Sequence, residues 1–228
     1  VPLGKKIMGR GLDMGGHLTH GHKASFTGKL WHQVPYGVNK RTEKLDYKEI
    51  SILAKKEKPF LIVAGYTAYS RIIDFKKFRE IADAVRLPAG RQGAILMVDM
   101  SHFAGLVAGG VYPSPFFYAD IVTATTHKTL RGPRSALIFS KRKFSSAINK
   151  AVFPGLQGGP HVNQIAAVSV ALFEATKPAF KKYAKQIVKN TKVLAEELQE
   201  LGWRIVSGGT DSHLFLVDTR VRGIGGKI

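Results

Sequence analysis

Cysteine is absent from all 228 residues. Disulfides and thiolate metal sites are thereby excluded, and a reducing cytoplasm is the expected compartment. Acidic residues are scarce: 16 Asp and Glu stand against 35 Lys and Arg, a formal charge of +19. Long apolar runs are missing as well. The longest stretch without Asp, Glu, Lys or Arg, residues 151–173, is interrupted by Pro154, Pro160, Asn163 and Gln164, which is too polar for a membrane span. The first residues lack the charged-then-apolar pattern of a secretory signal. There are two tryptophans, Trp31 and Trp203. They offer no array on which bases could stack, so they read as core or interface residues.

The basic excess invites a nucleic-acid partner, because phosphate contacts dominate such binding. Its distribution argues otherwise. Lys177, Lys181, Lys185, Lys189 and Lys192 recur close to helical spacing, opposite Phe180, Tyr183, Ile187, Val188, Leu194 and Leu198. That is the pattern of a helix with a solvated basic face and a packing stripe. Positive potential also suits small anionic ligands.

Residues 123–134 read Thr-Ala-Thr-Thr-His-Lys-Thr-Leu-Arg-Gly-Pro-Arg and follow an apolar run at 121–122. They place Lys128 in a small, polar, cationic loop. Covalent chemistry at a lysine needs a neutral amine, and the nearby His127, Arg131 and Arg134 disfavour the ammonium form. Such a lysine is the expected anchor for an aldehyde cofactor, pyridoxal phosphate being the commonest. Taken alone, a lysine in such a basic loop is far more often a surface residue. Upstream, residues 95–98 form an apolar run that ends in Asp99, as a buried parallel strand would with an acid at its carboxyl end. Ligands bind at that edge of open α/β sheets. A carboxylate there keeps a pyridine nitrogen protonated. Taken singly, Asp99 could also cap a helix or pair with a buried cation.

Periodicity predicts strands at 61–65, 95–98, 121–124 and 136–139, with a helix over 75–85 presenting Phe75, Phe78, Ile81, Ala82 and Val85 on one side. Strand 61–65, that helix and strand 95–98 make a parallel βαβ unit. A helix is predicted over 163–176 and a longer one after it, with Pro178 in its first turn. Strands at 204–206 and 214–218 then begin a smaller domain, giving units 1–174 and 175–228. The Pro/Gly-containing basic segment 86–92 reads as a surface loop. His17-x-x-His20-x-His22 is spaced suggestively for a metal but lacks supporting acids, so no metal is expected and His20 reads as structural. Gly223-Ile-Gly-Gly-Lys227 lacks the full spacing of a phosphate loop.

Several segments, in order, carry a wider pattern. They include Gly-Gly-His-Leu-Thr-His-Gly at 15–21, Val-Asp-Met-Ser-His at 98–102 and Thr-Thr-His-Lys-Thr-Leu-Arg-Gly-Pro-Arg at 125–134. Gln-Gly-Gly-Pro-His at 157–161 and Ser-Gly-Gly-Thr-Asp-Ser-His at 207–213 complete the set. With them the chain resembles the serine hydroxymethyltransferases across almost its whole length. The resemblance implies an α/β fold of the type I pyridoxal-phosphate transferases (aspartate-aminotransferase-like), with a large-domain sheet and the start of a small α+β domain. It implies reversible interconversion of serine and glycine, with the hydroxymethyl carbon passed to tetrahydrofolate, in a homodimer or dimer of dimers with shared active sites. A threonine aldolase of the same fold, or a non-catalytic basic binding module, is the alternative.

Roles follow by resemblance. Lys128 is the covalent anchor of the cofactor and Asp99 the partner of its ring nitrogen. His102 approaches the phenolic oxygen, His17 stacks on the ring, and Thr67 stands where the family has a serine hydroxyl. His127 and Arg134 line the pocket. Gly159 reaches the phosphate of a neighbouring subunit's cofactor. Met14, Gly16 and Leu18 face the folate, although the Ala-His pair that precedes Gly-Gly-His in the family is missing here. The resemblance also implies an internal piece of a longer enzyme, without the phosphate loop, proton-transfer glutamate and substrate-carboxylate arginine, and inactive in isolation.

Overall fold

The computed structural model describes residues 1–87 and 93–225. Most of the predicted loop at 86–92 and the end of the 223–227 segment lie outside the described residues. Five parallel strands and one antiparallel strand form a single sheet: β1 (Lys6–Arg10), β2 (His32–Tyr36), β3 (Leu61–Gly65), β4 (Ile95–Asp99), β5 (Ile121–Thr125) and β6 (Ala136–Ser140). Their spatial order is β2-β1-β3-β4-β5-β6, with only the β5–β6 pair antiparallel. The predicted strands β3 to β6 are present, each within a residue of its expected bounds. β1 and β2 are additional.

The burial pattern explains why the middle strands are apolar throughout. Every residue of β3 is buried, as expected for a strand covered on both faces. One face meets a core that includes Met8, Ile62, Leu96, Val122, Phe75, Phe78 and Phe103. The other carries Ile7, Leu61, Val63 and Ile95 against Trp31, Phe60 and Phe144. Pro35 falls in β2, which is an edge strand, where a residue without an N–H costs no ladder bond.

The helices are α1 (Phe26–Leu30), α2 (Tyr47–Glu57), α3 (Phe75–Asp83), α4 (Ala104–Ala108), α5 (Arg142–Lys150), α6 (Val162–Ala175) and α7 (Pro178–Glu200). Asp46 caps α2 by accepting from the N–H groups of Lys48 and Glu49, and Asp74 caps α3 through Lys77. Phe75, Phe78, Ile81 and Ala82 form the buried face of α3, as the periodicity indicates, and Val85 is buried just beyond it. On α7 the five lysines are exposed, but the stripe opposite them is narrower than expected. Phe180 and Ala184 are buried, whereas Tyr183 and Leu194 face outward. The carboxyl-terminal strands are also short: β7 (Arg204–Ile205) pairs antiparallel with β8 (Val217–Asp218). The loop between them is fixed by Arg71, whose guanidinium donates to the Ser207 carbonyl at 2.6 Å and to Asp211 at 3.1 Å. Among the described residues, no helix is long and apolar enough to cross a membrane.

Candidate active site

Parallel strands deliver their carboxyl ends to one edge of the sheet. Here β1 leads to the turn that carries His17 and His20, β3 to Thr67, β4 ends at Asp99, and β5 runs into Thr126–Lys128. The first two of these loops are clasped together. The Gly15 carbonyl accepts from the N–H groups of Thr67 and Ala68 at 2.9 and 3.1 Å. Gly15 has φ +87°, and a Cβ there would lie 1.9 Å from the Ala68 carbonyl oxygen, so only glycine permits this approach.

A continuous hydrogen-bond network links the acid to the lysine. Asp99 Oδ1 accepts from the Ser101 N–H at 3.1 Å and from its hydroxyl at 2.6 Å. Ser101 Oγ in turn accepts the Thr125 N–H at 3.0 Å. Lys128 Nζ donates to Thr125 Oγ1 at 3.0 Å. On the far side, His20 Nε2 stands 2.9 Å from Asp99 Oδ2. His20 Nδ1 accepts the His17 N–H, which leaves the proton on Nε2 for donation to Asp99. His20 is almost fully buried. It is therefore structural, as the sequence suggested, but its structure belongs to the site: it orients the carboxylate.

The electrostatics follow from these contacts. Burial raises the Asp99 carboxyl, but hydrogen bonds from His20 and Ser101 overcome this and hold it down at about 2. Burial also lowers the Lys128 amine, with Arg134 adding to that effect and Asp99 opposing it. The sequence assigned this lowering to neighbouring cations. The structure gives burial the larger part and turns Arg131 away, its guanidinium 4.6 Å above the Tyr183 ring. His17 is lowered by burial, and then by His20 and Lys128.

His102 is lowered to about 4 by burial, with Lys128 and His213 contributing. His213, to which the sequence gave no role, stacks on His102 with ring centroids 6.1 Å apart and is lowered to about 4 by burial. Its motif was visible, yet only the fold brings the 207–213 loop to this edge. From the ordinary histidine value of 6.5 down to about 4, the unfolded chain binds protons at these two positions that the folded chain does not. Stability therefore rises with pH across this window and falls on acidification. Denaturant titrations from neutral pH to about pH 4.5 should show that loss, with up to about two protons taken up on unfolding. Replacing both histidines by glutamine should flatten the profile.

The remaining sequence-predicted residues are placed less uniformly. Thr67 Oγ1 and His127 Nδ1 are buried without a partner. Arg134 is exposed but close enough to influence Lys128. Gly16 is buried, with its N–H already donated to the Gly11 carbonyl at 2.9 Å. Leu18 is exposed, and Met14 lines a neighbouring cavity rather than the Lys128 network. Gly159 lies on the exposed segment 157–161, where a Cβ would meet nothing within 4 Å.

The sequence model of the serine hydroxymethyltransferase family matches residues 1–228. A curated relative, the serine hydroxymethyltransferase of Koribacter versatilis (strain Ellin345), is 55% identical over 224 residues, covering 98% of this chain. The chain spans about half the length of that relative, 51%.

Proposed function

This chain belongs to the serine hydroxymethyltransferase family, and from that premise we propose that it forms the cofactor-anchoring part of an enzyme that moves the hydroxymethyl carbon between serine and tetrahydrofolate. The family implies dependence on pyridoxal phosphate. The observation that carries the reading for this chain is the unbroken Lys128–Thr125–Ser101–Asp99 network at the carboxyl edge of the sheet.

The residues present fit the cofactor. Lys128 is a partly buried amine with a lowered proton affinity, suited to condensing with an aldehyde. Asp99 is ionised throughout the physiological range and would hold the proton of a pyridinium nitrogen. Thr67 Oγ1 and His127 Nδ1 are buried polar atoms without partners, which a bound polar ring would satisfy. Bound there, pyridoxal phosphate supplies an electron sink for the carbanion left when the substrate bond breaks. The chain's own part is positional. His17 and His102 both stand close enough to Lys128 and Asp99 to feel their charges, and Arg134 adds positive charge near the amine. Met14, Gly16 and Leu18 are the proposed folate side.

A homodimer with shared sites completes the proposal. Its support is the outer face of α6, where Val162, Ile165, Val170 and Phe173 are exposed. Apolar surface of that extent on one helix calls for a covering partner. The preceding turn carries Gly159, the residue assigned to a neighbouring subunit's cofactor. A reducing cytoplasm fits a chain without cysteine.

The test is incubation of the cofactor-loaded full-length protein that contains this chain with serine labelled at Cβ, with and without tetrahydrofolate. Glycine release coupled to label in the folate is expected. Folate-independent cleavage of threonine without serine turnover would instead identify an aldolase and overturn the transferase reading.

A further inference from the structure

Arg10, the last residue of β1, is 2% exposed. Its Nε and Nη1 are buried with no hydrogen-bond partner, and among the described residues no carboxylate pairs with it. Its guanidinium lies 4.1 Å from the centroid of the Tyr69 ring. Tyr36, Tyr66 and Tyr112 also surround it. Aromatic faces stabilise a guanidinium in part, but they accept no directed hydrogen bonds from its edge. A buried, incompletely solvated cation is expensive, and proteins retain one where an anion completes it.

Arg10 also reaches the wall of a cavity of about 660 Å³, within the size range of small-molecule sites. The walls around it are largely apolar, with Leu12, Met14, Val38 and Leu216 contributing. Asp13, Lys40, Glu43 and Arg220 also stand at this cavity. Asp13 and Lys40 offset each other in charge and Arg220 is paired with Asp218, which leaves Arg10, among the described residues, as its one buried, unpaired cation. Glu43 is already engaged by Arg204 and by the Ser207 N–H.

We propose that this cavity is a binding site for a monoanionic organic acid, a carboxylate on an apolar or aromatic body, with Arg10 as its counter-ion. One cation at an apolar wall matches one carboxylate, because a charge-assisted hydrogen bond to arginine supplies orientation while the walls take the body. A phosphate would bring a second charge with no second buried cation to meet it. The site contains neither Lys128 nor Asp99, so it does not depend on the cofactor reading. Met14 is the one residue it shares with the proposed folate side.

Calorimetric titration with benzoate and with the neutral benzamide tests the proposal on the whole chain. Saturable binding of benzoate, with benzamide bound roughly thirty-fold more weakly, is expected. Arg10→Met should remove benzoate binding yet raise the melting temperature of the ligand-free protein, since it deletes an unpaired buried charge. Arg10→Lys should retain part of the binding. A single cooperative thermal transition in Arg10→Met would show that the variant is folded. Absence of benzoate binding to the unaltered chain would overturn the proposal. So would equal binding of the two probes, or undiminished benzoate affinity in Arg10→Met.

Discussion

Asp99→Asn is expected to weaken pyridoxal phosphate binding by roughly 10²–10³-fold, the cost of leaving one member of a buried charge pair unmatched. The native carboxylate divides its oxygens between two sets of donors. Ser101 supplies two hydrogen bonds to Oδ1, and His20 supplies one to Oδ2. An amide has one oxygen and one NH₂, so either His20 or Ser101 would meet a donor where it now meets an acceptor. The substitution therefore also destabilises the ligand-free fold, by about 1–3 kcal/mol. Cofactor titration followed by absorbance, together with denaturant unfolding, separates the two effects. Unchanged cofactor affinity in Asp99→Asn would show that the carboxylate does not meet the ring.

The second large effect is expected at Gly105, near the start of α4. A Cβ there would lie 2.1 Å from the Thr129 carbonyl oxygen and 2.4 Å from its carbonyl carbon. Both are backbone atoms of the residue after Lys128. The Gly105 N–H donates to Thr129 Oγ1 at 2.9 Å, and that hydroxyl donates to the His102 carbonyl at 3.0 Å. Gly105 thus lets α4 serve as a platform for the lysine loop. Gly105→Ala must push one away from the other. Overpacking of this kind costs about 3 kcal/mol, and here the displacement falls on Lys128. Reduced stability with impaired cofactor attachment at Lys128 is expected. A change below about 0.5 kcal/mol, the range of an ordinary surface substitution, would mean the loop is not braced by α4.

These two positions also show what could be read from the chain. Asp99 and Lys128 were legible because each follows an apolar run long enough to be a buried strand, and the edge that strands share is general to the fold class. The contact of Gly105 with Thr129 could not be read, since 24 residues separate them. β1 and β2 escaped notice for physical reasons. β1 reads Lys-Ile-Met-Gly-Arg, charged at both ends, and β2 contains Pro35. Their strand state comes from pairing with neighbours rather than from local preference.

His20 was legible as a structural residue and not as the partner of Asp99, which lies 79 positions away. The breadth of the α7 stripe was overestimated because helical spacing shows which residues share a face, not how much of that face the rest of the fold covers. Tyr183 illustrates the difference: it stays at the surface beneath Arg131.

The central claim is that the fold makes Lys128 the cofactor's anchor. Borohydride reduction of the protein in the presence of pyridoxal phosphate, followed by peptide mass spectrometry, tests it most directly. A single pyridoxyl adduct at Lys128, absent from Lys128→Ala and suppressed in Asp99→Asn, is the expected result. Adducts scattered over the exposed lysines of α7, equal in the unaltered chain and in Lys128→Ala, would contradict it.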